Sequence, residues 1–241
     1  MIAVTFALPE ESQDLRALLQ DSQQITTRLA GPVIFGLARG VPITIWHTGM
    51  GAEAAATEAR ALLGQCQPRL VISSGFAGGL KPELRVGDVV FDARDSTFSQ
   101  WRARSCPCLP GAIRTHSTAL ETPSDKASLF NTSGAIAVDM ETAAIASVCA
   151  EVKIPLFSLR GISDAAGDSL PVPMEHWFDL RRQRPRPLAL VSYLARNPRR
   201  IVPFVRFVRG LSAPRRAMTL AILDFIADYA QSVAFLASHS T

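Results

Sequence analysis

Charge is scarce in this chain, and negative charge is missing altogether from one long stretch of it. Only 19% of the 241 residues are Asp, Glu, Lys or Arg and 48% are hydrophobic, which excludes the charged, apolar-poor composition of disordered chains. Cysteines are few: Cys66, Cys106, Cys108 and Cys149 show no paired metal-ligand spacing, so neither a zinc module nor a disulfide framework is expected. The triplet Cys106-Pro107-Cys108 lacks a second cysteine pair and reads as a surface loop, with a redox or metal fragment as the alternative. No run reaches the ~18 to 20 apolar residues of a membrane span, and no basic region followed by an apolar core opens the chain. A reduced, cytoplasmic protein is expected. A dinucleotide fingerprint and a phosphate loop are both absent, and no metal or other cofactor is expected.

The stretch without acids runs from Arg181 to Arg216 and holds 11 arginines, leaving 14 Lys plus Arg against 21 Asp plus Glu elsewhere. The basic character belongs to this segment. Pro198 to Leu211 places Ile201, Phe204, Val205, Val208 and Leu211 on one side of a helical wheel and Arg199, Arg206 and Arg209 on the other. Pro203 fits only if that helix starts near Arg199 or Arg200. Such a face suits peripheral contact with an anionic membrane. Nucleic acid ranks below it, because no nucleic-acid module accompanies the arginines and no nucleic-acid partner is expected. Packing on the domain or on a sister subunit is the remaining reading.

Length allows one large domain. Ile2 to Leu8 is a β-branched run suited to a buried strand, and Pro9-Glu10-Glu11 then starts a helix. Val33 to Leu37 and Ile43 to His47 read as strands, Ala52 to Leu63 as a helix, Leu70 to Ser74 as a strand entering the glycine-rich turn Gly75-Phe76-Ala77-Gly78-Gly79, and Val86 to Phe91 as a strand. Periodicity assigns little from Asp92 to Ser133. A helix follows from Asp139 to Val152, a strand from Pro155 to Ile162 and a long helix from Ala217 to Leu236. Alternating strands and helices predict an α/β fold, a three-layer α/β/α sandwich with a central mixed sheet and a basic helical C-terminal extension. The organisation expected is residues 1–180 as the main domain, 181–216 as a basic amphipathic insertion and 217–241 as the main domain's last helix.

In open α/β sheets, ligands bind beyond the carboxyl ends of strands. There the chain places Glu10-Glu11, the Gly75 turn, Met140-Glu141 and Ser163-Asp164. Each alone has a plainer reading: a tight turn without a ligand, acids complementing a helix dipole, or a carboxylate capping the next helix.

Together they resemble a known pattern. Ala7-Leu8-Pro9-Glu10-Glu11, Ser74 to Leu80, Val86-Gly87-Asp88-Val89-Val90, Ala137 to Ala146 and Arg160-Gly161-Ile162-Ser163-Asp164 occur in the order seen in the purine nucleoside phosphorylase and nucleosidase superfamily. The methylthioadenosine/S-adenosylhomocysteine nucleosidase pattern is the nearest, over residues 1 to about 170. The resemblance implies that Asp164 donates a proton to N7 of a leaving purine, Glu11 orients or deprotonates the attacking water, and Glu141 holds the ribose hydroxyls. It also implies that Met140 packs under the sugar, that Phe76, Ala77 and Gly78 line the pocket, and that Arg160 and Ser163 order the acids. Cleaving an N-glycosidic bond develops cationic character on the sugar and negative charge on the base, so an acid at the base and carboxylates at the sugar suit it. A carboxyl group that donates a proton near pH 7 needs its protonated form favoured, which burial at a strand end can provide.

Water is favoured over phosphate as the nucleophile, because no arginine follows Leu8 directly and Ser73 stands before the Gly75 turn, where phosphorylases of the superfamily place arginines. Leu170-Pro171 and Leu194 to Arg199 further resemble the hopanoid-associated phosphorylases, which implies adenosylhopane, a lipid-tailed nucleoside, as the substrate. Methylthioadenosine and S-adenosylhomocysteine are the alternative. An alternative of another class is a non-catalytic nucleoside-binding protein at a membrane. Relatives of this kind are homo-oligomers, and this chain is expected to be one. Contacts to the purine edge are sought between Ala112 and Asp125, where a solvated loop is the favoured reading of His116 and Glu121 and a contribution to the purine edge the alternative.

Overall fold

The computed structural model describes residues 1–26, 32–92 and 98–238. Its elements in chain order are β1 (Ile2–Phe6), α1 (Gln13–Ala17), β2 (Gln20–Thr26), β3 (Pro32–Ala38), β4 (Val41–His47), α2 (Ala52–Gln65), β5 (Leu70–Gly79), β6 (Val89–Asp92), β7 (Cys108–Gly111), β8 (Ile113–Thr115), α3 (Pro123–Ser133), β9 (Ala137–Asp139), α4 (Thr142–Glu151), β10 (Leu156–Asp164), β11 (Phe178–Asp179), β12 (Arg184–Pro185), α5 (Pro187–Arg196), α6 (Ile201–Gly210) and α7 (Ser212–Ser238).

One sheet runs in the order β2-β3-β4-β1-β5-β10-β6-β7, with β9 beside β5 and β8 beside β9. The central strands β4, β1, β5 and β10 are parallel, and antiparallel neighbours flank them. Alternation along β1 and β5 divides the core. Ala3 and Val71 face the layer of α2 and α4, where Ala59, Leu62, Ile145 and Val148 are buried. Ile2, Val4, Leu70 and Ile72 face α7, through Met218, Ile222 and Phe225. The result is the expected three-layer sandwich with a mixed sheet. On the α7 side, the rings of Phe157 and Phe225 stack with centroids 3.7 Å apart. Gly161 lets α7 pack onto β10, since a Cβ there would lie 2.8 Å from the Pro214 carbonyl oxygen.

The stretch assigned no regular structure, Asp92 to Ser133, differs most from expectation. Residues 93–97 of it lie outside the described residues, and the rest includes β7, β8 and α3. Helix α3 begins on a cap that the sequence does carry: the Thr122 hydroxyl accepts from the Asp125 amide at 3.2 Å, Pro123 opens the helix, and Gly134 ends it with φ +64°. The glycine-rich run is no turn, because β5 continues to Gly79 by pairing with β10 and then β9. Strand β6 starts at Val89, not Val86, after a turn in which the Asp88 carboxylate accepts from the Arg85 amide at 2.8 Å. Helix α4 starts at Thr142 because Asp139 ends β9.

Cys106 ends an irregular loop and Cys108 opens β7 after the exposed Pro107; the two thiols are half-buried and 3.7 Å apart. In the basic segment, α6 begins at Ile201, so Pro203 falls in its first turn, where no intrahelical amide bond is lost. The last helix begins at Ser212 rather than Ala217, and its Arg215 pairs with Asp14 at 2.9 Å. Among the described residues, no helix is long and apolar enough to cross a membrane.

Candidate active site

Strands β1, β5 and β10 end around one cavity of about 590 Å³, a size typical of small-molecule sites. Its walls include Glu11, Phe76, Ala77, Gly78, Met140, Glu141, Ser163 and Asp164. Of the residues to which the resemblance gives a role, Arg160 alone stays outside the lining.

Glu11 is held over the end of β5. The turn after β1 closes with the Glu11 amide donating to the Leu8 carbonyl at 3.2 Å. The Glu11 carboxylate then accepts from the amides of Leu8 at 2.9 Å and Phe76 at 2.8 Å. Gly75 is required beneath it: its φ is +152°, and a Cβ there would lie 2.9 Å from Oε1 of Glu11. Burial pushes the Glu11 carboxyl above the ordinary carboxylate range, opposed by the Phe76 and Leu8 amides and by the Arg160 charge. Ser12, next in the turn, lies 2.8 Å from Nε2 of His47. Burial drives that imidazole down to about 4, so it is neutral near pH 7.

Glu141 turns away from its own helix. One of its oxygens accepts from the Gly51 amide at 2.7 Å, on the loop after β4. Burial raises its pKa to about 7, with the nearby Asp139 charge as the second cause. The capping role belongs to Asp139, which accepts from the Thr142 amide at 3.0 Å and from Nε of Arg160 at 2.9 Å. Thr115 also donates to Asp139, at 2.8 Å.

Arg160 is 1% exposed and is used up within the protein. Besides Asp139, its guanidinium donates to the Ser73 carbonyl at 2.7 Å and to the Thr142 hydroxyl at 2.8 Å. It orders an acid, Asp139, rather than lining the cavity, and it bears on Glu11 and Glu141 through its charge.

Asp164 ends β10, where its carboxylate packs 3.3 Å from the position a Cβ on Gly78 would take. The Ser163 hydroxyl lies 2.6 Å from Oδ1 of Asp164 and 3.2 Å from the Ala77 carbonyl. Nζ of Lys126 reaches Oδ2 of Asp164 and also donates to the carbonyls of Ala165 at 2.8 Å and Asp168 at 2.9 Å. Lys126 is fully buried. Sequence reasoning missed it, since it sits on α3, inside the stretch left unassigned. The Thr122-Pro123 cap was the available signal, placing a lysine on a helix directed at the sheet.

Three residues of the span searched for purine-edge contacts reach the cavity. Thr118, Ala119 and Leu120 line the cavity, and neither His116 nor Glu121 does. The Glu121 carboxylate accepts from the Met174 amide at 2.8 Å, which ties down the loop after β10.

The far end of the cavity is apolar, walled by Leu170, Met174, Trp177, Phe178, Phe207 and Leu211. A second cavity of about 290 Å³ adjoins it and shares Leu170, Trp177, Pro185, Phe207 and Leu211. The apolar arc expected on α6 is split. Phe204, Val208 and Leu211 of that arc reach the second cavity, joined by Phe207, while Ile201 is 42% and Val205 40% exposed; Val202, outside the arc, is 66% exposed on the face of exposed Arg206 and Arg209. Carboxylates at one end of the cavity and an apolar wall at the other suit a ligand with a hydroxylated, hydrogen-bonding part and an apolar substituent.

A family model described as the phosphorylase superfamily matches residues 1–92 and 107–194, reaching past β10 into α5. A 5'-methylthioadenosine/S-adenosylhomocysteine nucleosidase of Haemophilus influenzae is 27% identical over 226 residues, covering 78% of this chain and 96% of its own. Among solved structures, the nucleosidase of the same name from Colwellia psychrerythraea, in complex with adenine, superposes with a TM-score of 0.68 at 20% identity, over 94% of both chains. The Neisseria meningitidis one, in complex with methylthio-immucillin-A, gives 0.68 at 17% identity over 93% of this chain and 97% of that one. A futalosine hydrolase mutant of Helicobacter pylori gives 0.57 at 20% identity, over 68% and 87%. At such identities the structural likeness is one of fold. The family model carries the assignment, since it spans most of the chain and includes the turn of Glu11, the end of β5, and the Glu141 and Asp164 motifs: this chain belongs to the phosphorylase superfamily.

Proposed function

We propose that this enzyme of N-glycosidic bond cleavage takes an adenosine-type nucleoside and releases adenine, with water as the nucleophile. The observation that carries the reading is the grouping of three buried carboxyl groups, Glu11, Glu141 and Asp164, around one cavity, each on a different element and each hydrogen-bonded. In this reading Asp164 gives its proton to the base as the C1'–N9 bond breaks and that electron pair passes into the purine. Glu141 accepts hydrogen bonds from the ribose hydroxyls. Glu11 takes a proton from the water that adds to C1', and its burial, which favours the protonated form, suits a group that must accept one. Water is favoured because, among the described residues, the lining holds no lysine or arginine, and a phosphate dianion would sit against Glu11 and Glu141 without a cation beside it.

The adjoining apolar cavity supports a finer reading, in which the nucleoside bears a long apolar substituent, as adenosylhopane of hopanoid lipid biosynthesis does. The arginine-fringed face of α6 supports peripheral contact with an anionic membrane, from which such a substrate would come. The relatives named above favour instead methylthioadenosine and S-adenosylhomocysteine. Adenine release from all three nucleosides, with and without phosphate, tests these readings together. Free ribose products without phosphate are expected, with turnover of the lipid-tailed nucleoside exceeding that of methylthioadenosine. Strict phosphate dependence would overturn the choice of water, and efficient methylthioadenosine turnover the lipid-tailed substrate.

A further inference from the structure

Lys126 has no place in the chemistry described so far, yet it is a fully buried lysine at the one carboxyl group assigned to the base. Burying an ammonium ion is costly unless it is paired and hydrogen-bonded. Here it has three acceptors: Oδ2 of Asp164 and the carbonyls of Ala165 and Asp168. All belong to the end of β10 and the loop that follows, so the side chain crosses from α3 to fasten the strand end on which Asp164 stands. The chain has only three lysines, and the other two, Lys81 and Lys153, are not buried. Oδ1 of Asp164 is meanwhile engaged by the Ser163 hydroxyl. The carboxyl group is thus gripped at both oxygens by donors, which fixes its plane.

We propose that Lys126 is a positioning residue for base departure: it aims the Asp164 carboxyl group at the purine and balances the carboxylate left after proton transfer. In that step the Asp164 O–H proton moves to N7, the C1'–N9 electron pair enters the purine, and the new carboxylate is stabilised by the Lys126 ammonium until the proton that Glu11 took from the attacking water is released and one returns to Asp164 from solvent. The proposal rests on the adenine-releasing reading above. A lysine acting this way matters only when the leaving group must be protonated, whereas one that merely supports the fold matters for every substrate.

The experiment compares adenine release from adenosine-type nucleosides with hydrolysis of a 4-nitrophenyl riboside, whose phenolate leaves without a proton. In Lys126→Met, kcat for adenine release is expected to fall about 10²-fold, at the low end of general-acid effects, with KM little changed and nitrophenolate release within about threefold of wild type. Lys126→Arg, which keeps the charge, should recover part of the loss. In an Asp164→Asn background, Lys126→Met should cost little more, because the two act as one unit. Equal losses on both leaving groups, or none on either, would overturn the proposal. Should Lys126→Met fail to fold, wild-type protein labelled with 15N-lysine decides: a slowly exchanging ammonium signal that moves when adenine binds supports the proposal, and a buried signal unmoved by adenine defeats it. Wild-type enzyme that releases no adenine from any nucleoside defeats the underlying reading instead.

Discussion

Glu11, Glu141 and Asp164 are each 9% exposed or less and grip amides, a hydroxyl or an ammonium within the protein, whereas α6, across the same cavity, and α5, at the adjoining one, have no buried residue at all. The acidic end is preorganised by the sheet: its dipoles and charges are in place before a ligand arrives, which is what stabilising a developing charge requires. The apolar end depends on what it covers. Phe204, Phe207 and Leu211 turn toward a cavity, and Val202 and Val205 toward solvent. In the proposed reading chemistry and selectivity fall to different ends of the cavity, and mutation separates the two.

The strongest break should come at the acidic end. Asp164→Asn keeps the shape of the side chain and the Lys126 contact but has no acidic proton, so kcat for adenine release should fall by about 10² to 10⁴. Adenine binding, measured by calorimetry, should persist. Undiminished turnover would remove Asp164 from the mechanism.

Glu141 separates affinity from stability at the same end. Its carboxyl is raised to about 7 from an ordinary value of 4.5, so between those values the folded protein binds more protons than the unfolded chain. Stability therefore falls as pH rises through that window, and above it the whole penalty is present, on the order of 3 kcal/mol. Glu141→Gln escapes it: its Tm should exceed that of wild type by several degrees at pH 8, and the two should converge near pH 4. Its KM should rise strongly, as no carboxylate is left for the ribose hydroxyls. In wild type, KM should fall as pH rises through about 7. A Tm difference independent of pH would refute the linkage.

How much of this could be read in the chain follows the same division. The strands and the acidic motifs were legible because each carries a local signature: β-branched runs for β1 and β5, and carboxylates at element ends for Glu11, Glu141 and Asp164. Lys126 and the choice of Asp139 as the partner of Arg160 were not, because a long-range contact leaves no periodicity. Arg160 lies in the Asp164 motif and points away from the cavity, while Lys126 lies far off in sequence and points at Asp164. The extension of β5 through its glycines was hidden for a related reason. Glycine reads as a breaker, yet Gly75 and Gly78 are needed in extended backbone because carboxylates lie over them.

A smaller effect is expected in the inner face of α6. Phe204 lines the adjoining cavity and not the main one. Phe204→Ala should therefore raise KM about tenfold for a nucleoside with a long apolar substituent, from lost apolar burial, and leave methylthioadenosine kinetics within about twofold. Equal effects on both substrates would mean that the second cavity does not take the substituent.

The outer face of α6 should give the smallest effect per residue. Arg206 and Arg209 are exposed beside Val202 and Val205, and one basic residue near an anionic lipid surface contributes about 1 kcal/mol. Arg206→Gln should thus weaken binding to phosphatidylserine-containing vesicles about fivefold, and Arg206→Gln with Arg209→Gln by about the product. Neither should alter release of adenine from a soluble nucleoside, since both side chains lie outside the cavity lining. At 1 M salt, where screening acts within about 3 Å, the wild type should lose most of this advantage and the valines alone should hold the vesicle. If that face instead packs against a second copy of the chain, the substitutions would change sedimentation and leave vesicle flotation as it was.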